Sequence, residues 1–78
     1  MMELKEYCEY IRNAKFYMKK KNYLMALSYY EKAEEKEKVA GLYLKLGSWQ
    51  KASDIYFEIG MTDKACKIEA DGRRGKYK

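Results

Sequence analysis

The residues with the clearest potential for recognition chemistry are the basic ones at the C-terminal end. Residues 72–78 contain four cations and no acidic group: Arg73, Arg74, Lys76 and Lys78. Guanidinium and ammonium groups can follow a phosphate backbone, and the ring of Tyr77 between the last two lysines can stack on a base. The three consecutive lysines Lys19–Lys21 would add to such a surface. One hypothesis is therefore a small basic nucleic-acid-binding protein.

Catalytic and metal-binding residue sets are absent from the sequence. The 78 residues contain no histidine, which removes histidine general bases, catalytic triads and histidine metal ligands. The two cysteines are far apart, and no glycine-rich phosphate loop is present. One acidic run is balanced by neighbouring lysines and is typical of a solvated helix face: Glu31, Glu34, Glu35 and Glu37. We predict that the chain is not an enzyme and has no catalytic residue, metal or cofactor.

The positions of the cysteines and the hydropathy of the chain indicate where in the cell the protein is located. Cys8 and Cys66 fall among apolar helical positions, where a thiol behaves as a small hydrophobic group, so we predict two buried free thiols. The alternative is a disulfide between the terminal helices. No segment approaches the roughly 20 apolar residues needed to cross a bilayer. Charged residues interrupt the segment where a signal peptide would be apolar: Glu3, Lys5 and Glu6. The sequence predicts no membrane insertion and a cytoplasmic location.

The net charge of +5 is concentrated at the C-terminal end of the chain. Without the +4 of residues 72–78, the rest of the chain has a net charge of only +1. We therefore predict a single helical domain over residues 1–71 and a flexible basic tail over residues 72–78.

Apolar residues at helical spacing predict an all-α fold, since no segment alternates polar and apolar residues over the length of a strand. Asn22 and Ser48 are suited to begin helices, and Gly47 and Gly60 to end them. The spacing predicts five helices, at about 2–20, 23–36, 38–46, 49–59 and 63–71.

Small and aromatic residues recur along the chain in matched pairs. The two members of each pair are separated by the same number of residues, which we call the shift. The matched pairs are Ala14 and Ala40, Tyr17 and Tyr43, Tyr23 and Trp49, Ala26 and Ala52, and Tyr30 and Tyr56. A fixed internal period indicates stacked units, none of which can bury its apolar face alone. The order of small and aromatic residues in each unit, with a turn glycine at Gly47, resembles the tetratricopeptide repeat. The shift is shorter than the period of that family, which is about 34 residues. The chain also resembles the short-helix solenoids of vesicle-coat proteins.

The resemblance implies both a fold and a binding surface. It implies antiparallel helical hairpins stacked in a right-handed solenoid, with the first helix of each hairpin lining a concave groove. It places in that groove five residues that would bind an acidic or amphipathic peptide: Arg12, Lys15, Met18, Lys19 and Lys45. The predicted function is a non-catalytic protein–protein interaction module, an adaptor or scaffold. The nucleic-acid binder described above is the alternative.

The fifth predicted helix has no helix after it to pack against. Its apolar residues Ala65, Cys66 and Ile68 would then be left for a second copy of the chain to cover. The sequence therefore also predicts a homo-oligomer that forms through the C-terminal helix.

Overall fold

A computed structural model describes residues 2–77, and helices make up 76% of them, with no strand. The prediction of an all-α chain with five helices is confirmed. The helices are α1 (Leu4–Lys19), α2 (Tyr23–Lys32), α3 (Lys36–Lys45), α4 (Trp49–Glu58) and α5 (Thr62–Arg73). None of the helices found within residues 2–77 is long and apolar enough to span a membrane.

The helices form two compact units, Met1–Glu35 and Lys36–Lys78. In the first unit α1 packs on α2, and in the second α3 packs on α4 and α4 on α5. The assignment of residues 1–71 to one domain, and the flexibility of residues 72–78, stay predictions.

The four connections between helices share one backbone geometry. The residue with a positive φ recurs at a constant interval, at Lys21, Glu34, Gly47 and Gly60, with φ between 59° and 88°. In each turn the next amide donates a hydrogen bond of 2.8–3.0 Å to a tyrosine carbonyl five residues earlier: Tyr17, Tyr30, Tyr43 and Tyr56. This bond defines the Schellman ending of a helix. The backbone therefore repeats at half of the shift that relates the small and aromatic residues.

Alanines allow the helices of the first unit to approach each other. Ala14 of α1 and Ala26 of α2 are both 0% exposed, and a methyl side chain at such a position lets two helix axes come close. A second link joins the two ends of this unit, since the Tyr7 hydroxyl donates a hydrogen bond to the Glu35 carboxylate. This hydrogen bond, together with desolvation and the negative charge of Glu35, raises the pKa of Tyr7 above its ordinary 10.0.

Replacing Tyr7 with phenylalanine is expected to destabilise the chain at neutral pH but not at strongly alkaline pH. A raised pKa in the folded state means that the folded chain holds the phenolic proton more tightly than the unfolded chain. The stabilisation is therefore fully present below pH 10.0 and is lost as the pH rises through the higher folded pKa. Urea unfolding of both proteins at neutral pH and in steps above pH 10.0 measures the difference. Tyr10→Phe is the control, and a Tyr7→Phe difference that stays constant through the alkaline range would contradict the prediction.

The core of the second unit combines small residues with one buried aromatic ring. Its buried cluster consists of Ala40, Ala52, Tyr56, Ala65 and Ile68. All three alanines are 0% exposed, and Tyr56 is 3% exposed. Beside this cluster the buried Ser53 hydroxyl of α4 donates a 3.1 Å hydrogen bond to the Ala65 carbonyl of α5. The close α4–α5 packing thus leaves no space for a larger side chain on either helix at these positions.

The C-terminal residues return onto the second unit. Helix α5 continues two residues past its predicted end at residue 71, and Gly72 lies against the Trp49 ring. The amides of Gly75 and Lys76 then donate hydrogen bonds of 3.0 Å to carbonyls near the helix end, and Gly75 has a φ of 83°. After this turn Tyr77 packs, half-buried, against the core cluster.

Two sequence-based predictions about apolar residues are wrong. Ala65 and Ile68 of α5 are 0% and 4% exposed, because α4 already covers them, so they do not form an open face for a second copy. Cys8 and Cys66 are free, as predicted, but both are exposed rather than buried. Cys66 follows the buried Ala65 directly, and a step of one residue turns a side chain by about 100° around the helix, away from the core.

Candidate interaction surfaces

Three of the predicted peptide-binding residues share one side of α1. Arg12, Lys15 and Lys19 follow each other at steps of three and four residues, which is the spacing of neighbours on a helix surface. All three are exposed, and none has an ion-pair partner among residues 2–77. We call these three residues the basic stripe. Uncompensated cations in a row are suited to carboxylates of a ligand.

The other two residues of the predicted set lie elsewhere. Met18 is half-buried and lies three residues after Lys15, so its side chain lies at the edge of the basic stripe. Lys45 is exposed at the end of α3, in the second unit. The structure thus places three of the five residues together on one helix, with Met18 beside them.

The C-terminal cations have acidic neighbours of their own. Arg73 donates a 2.7 Å hydrogen bond to Glu69, and the Lys76 ammonium lies 3.5 Å from Asp71. Arg74 is exposed, and Lys78 lies outside the described residues. Since Tyr77 packs against the core cluster, its ring is not presented to a base. The tail therefore differs from the free basic and aromatic segment that the nucleic-acid hypothesis requires.

The other lysines named in that hypothesis are exposed at the end of α1. Lys19 belongs to the basic stripe, Lys20 lies over the Phe16 ring at 5.6 Å, and Lys21 occupies the left-handed position of the first turn. These three side chains remain available to an anionic ligand of any kind.

A row of aromatic rings forms a second surface on the first unit. The Tyr17 and Tyr29 rings are stacked at 5.7 Å with an interplanar angle of 7°. Phe16 meets Tyr17 edge-on at 5.2 Å, and Tyr10 lies 6.5 Å from Tyr29. Met25 lies four residues before Tyr29 on the same side of α2. We call these five residues the aromatic face. Phe16 is 52% exposed and Met25 is 39% exposed, so the face is accessible to a partner.

Sequence reasoning missed the aromatic face because it treated the aromatic repeat as internal packing. Phe16, Met25 and Tyr29 are outside the recurring pairs of small and aromatic residues. A signal was nevertheless present: Phe16 and Lys20 are four residues apart, and Tyr29 and Lys32 are three apart, which is the spacing of a cation over a ring on a helix surface. Lys32 does lie 5.2 Å from the centre of the Tyr29 ring.

The second unit has an open polar groove of about 590 Å³. It lies between α4 and α5 and is lined by Trp49, Gln50, Ser53, Asp54, Glu69 and Arg73. The Arg73–Glu69 ion pair lies along the α5 side of the groove. Within residues 2–77 no group of three or more histidine, cysteine or acidic side chains is arranged to hold a metal ion.

No protein-family model, curated protein or solved structure matches the chain. The resemblance to the tetratricopeptide repeat therefore depends on the sequence pattern alone. It stays a proposal, as do the functions that it implies.

Proposed function

We propose that the chain is a non-catalytic, tetratricopeptide-like interaction module that binds an acidic or amphipathic peptide along the basic stripe of α1. The observation that supports this proposal most is the pattern of uncompensated charge. Arg12, Lys15 and Lys19 are exposed on one side of one helix and have no ion-pair partner among the described residues. The acidic residues of α1 all lie before them in the sequence, at Glu6 and Glu9.

The length of the basic stripe defines the ligand. Arg12 and Lys19 are two helical turns apart, so the stripe extends over roughly 10 Å of helix. An extended peptide covers this length in about three residues. A ligand with two acidic residues at that separation would place one carboxylate near each end, and the planar guanidinium of Arg12 can bind one of them in a bidentate manner. Ile11 and Met18, both half-buried at the edge of the stripe, offer apolar contact to the residues between.

The expected affinity is modest and depends on salt. An exposed ion pair contributes about 0–1 kcal/mol, so three such pairs together add at most about 3 kcal/mol. Exposed charges are also screened over about 8 Å at physiological ionic strength. The proposed ligands are therefore peptides that combine acidic with apolar residues, since acidic residues alone would bind too weakly.

Nucleic-acid binding is less well supported. Two of the three described C-terminal cations, Arg73 and Lys76, are paired with Glu69 and Asp71. A phosphate backbone would have to compete with these carboxylates, and Tyr77 would have to leave the core cluster before it could stack on a base.

Peptide display on the purified chain tests the proposal. We expect the wild-type chain to enrich random peptides that contain Asp or Glu together with apolar residues. Lys15→Glu/Lys19→Glu is expected to lose these peptides, because the stripe would then repel them. The control is Lys51→Glu/Lys64→Glu, which changes the net charge equally at two exposed lysines of the second unit. These two lysines lie over tyrosine rings, a contact worth about 0.5–1 kcal/mol when exposed, so circular dichroism must confirm that the control is folded.

Two results would contradict the proposal. One is selection of the same acidic peptides by the Lys15→Glu/Lys19→Glu variant and by the wild type. The other is loss of those peptides in the control as well as in the stripe variant, which would show that net charge rather than the stripe attracts them.

A further inference from the structure

The aromatic face is an uncovered apolar surface of the first unit, whereas the apolar residues that were predicted to be open on α5 are covered. Ala65 and Ile68 of α5 are buried, whereas Phe16 and Met25 of the aromatic face are 52% and 39% exposed. A contiguous apolar surface that is open to solvent marks an interaction site.

We propose that the aromatic face binds the aromatic face of a second copy of the chain, in a dimer with two-fold symmetry. This inference does not depend on the peptide ligand proposed for the basic stripe, because the two surfaces use different residues. In a two-fold interface the same surface of both subunits takes part, so a contact from residue i to residue j is repeated from j to i. The surface must therefore be complementary to itself in both shape and charge.

The charges along α1 meet this requirement. Glu6, Asn13 and Lys20 follow each other at seven-residue steps, which places all three on one side of the helix. Lys20 lies over Phe16, so this side borders the aromatic face. The acidic end and the basic end are symmetric about Asn13. When the two copies of α1 run antiparallel across a two-fold axis near Asn13, Glu6 of each copy lies opposite Lys20 of the other.

The same charges disfavour other arrangements. In a parallel pairing of the two α1 helices, Glu6 would meet Glu6 and Lys20 would meet Lys20, and like charges repel. A partner whose charges were all acidic or all basic would meet a charge of the same sign at one end of the face. Asn13 is exposed and carries both a donor and an acceptor, so the two Asn13 amides can hydrogen-bond to each other on the axis. A second copy is thus the occupant that fits the face best.

The first test is the concentration dependence of the sedimentation coefficient. We expect the wild-type chain to change from monomer to dimer as its concentration rises. Phe16→Glu/Met25→Glu places charges on the aromatic face and is expected to raise the dimer dissociation constant at least about 100-fold, as loss of central interface residues does. Leu46→Glu/Phe57→Glu is the matched control, since these residues are 40% and 42% exposed in the second unit. The control is expected to dimerise as the wild type does.

The second test uses exchanged charges. Glu6→Lys alone and Lys20→Glu alone should each weaken the dimer, because each variant opposes like charges across the axis. Mixing the two variants should restore association, because the introduced lysine of one variant then faces the introduced glutamate of the other. At the other end of the mixed dimer, the unchanged Lys20 of the first variant faces the unchanged Glu6 of the second. This recovery would not occur if the substitutions acted only by destabilising the monomer.

Three results would overturn the inference. The first is a wild-type chain that remains monomeric at all concentrations. The second is a dimer that Phe16→Glu/Met25→Glu leaves unchanged while circular dichroism shows a folded chain. The third is a dimer that is lost on Cys66→Glu/Ala70→Glu, at exposed positions of α5, since that would place the interface at the other end of the chain.

Discussion

Replacing Tyr56 with alanine is expected to unfold the second unit or leave it barely stable. Tyr56 is 3% exposed and belongs to the buried cluster of that unit. Its neighbours in the cluster include Ala52 and Ala65, whose short side chains have no atoms that could move in to fill the space. Truncation of a buried aromatic residue in such a position costs about 3–5 kcal/mol. Small domains have a total free energy of unfolding of about 5–15 kcal/mol, so this loss is a large part of it.

Two further substitutions show which property of Tyr56 is responsible for this loss. One removes the hydroxyl and keeps the ring, and the other removes a less buried tyrosine at an equivalent position. Tyr56→Phe keeps the ring, over which Lys64 lies at 4.8 Å, and is expected to cost less than about 1.5 kcal/mol. Tyr43→Ala removes the tyrosine at the equivalent place in the preceding turn. Since Tyr43 is only half-buried, we expect a smaller loss than at Tyr56.

Urea unfolding measures all three variants. Far-ultraviolet circular dichroism reports the helices, and the fluorescence of Trp49, the only tryptophan, reports the second unit. An unfolding midpoint for Tyr56→Ala equal to that of the wild type would show that the Tyr56 ring does not occupy the core in solution.

Local signals in the sequence predicted most of the helix ends. Gly47 and Gly60 were expected to end helices, and both have a positive φ. Asn22 was expected to begin α2, and its side chain accepts a 3.3 Å hydrogen bond from the Met25 amide. Ser48 precedes α4 as expected, but its side chain makes no capping bond. Helix α5 begins at Thr62, one residue before its predicted start, and its N-cap is Met61. Such signals act over three or four residues, so a short window of sequence contains them.

The short interval between the backbone turns could not be predicted from such local sequence signals. Two of its four left-handed positions are Lys21 and Glu34, which are not residues that favour this conformation. The small and aromatic side chains match only between every second helix, α1 with α3 and α2 with α4. The sequence therefore showed a period twice as long as that of the backbone turns. The sequence did contain traces of the shorter period, in Gly47 with Gly60 and in the tyrosines whose carbonyls close the four turns. The tyrosine side chains did not reveal that the backbone repeats, because the hydrogen bonds of the turns use the backbone carbonyls of these residues.

The interaction surfaces depend on contacts between helices, which spacing along one helix does not determine. The basic stripe was predictable, since Arg12, Lys15 and Lys19 are on one helix and their relative positions follow from its geometry. The aromatic face was not, because it requires Tyr29 of α2 to stack on Tyr17 of α1. The return of Tyr77 to the core cluster was missed for the same reason, as it depends on the close approach of Gly72 to Trp49.

The two helical glycines Gly41 and Gly72 are expected to respond to alanine with opposite signs. Alanine stabilises an exposed helix interior by about 0.5–1 kcal/mol relative to glycine. At Gly41 of α3 a Cβ atom would meet nothing within 4 Å apart from its chain neighbours and the backbone of its own helix, so Gly41→Ala should gain this amount. At Gly72 of α5 the Cβ atom would overlap the Cδ2, Cε2 and Cε3 atoms of Trp49. These atoms belong to the rigid ring, so either the ring or the end of α5 must move.

Forcing extra volume into a packed position costs about 1–3 kcal/mol, which exceeds the gain in helix propensity. Gly72→Ala is therefore expected to lower the free energy of unfolding, and the displaced Trp49 ring should become more exposed and emit at longer wavelength. Both variants are compared with the wild type by urea unfolding and by the emission maximum of Trp49. Equal stabilisation by both substitutions, with unchanged emission, would show that Gly72 does not lie against Trp49 in solution. In that case the turn at Gly75 and the packing of Tyr77 would also lose their support, because both depend on where α5 ends against the Trp49 ring.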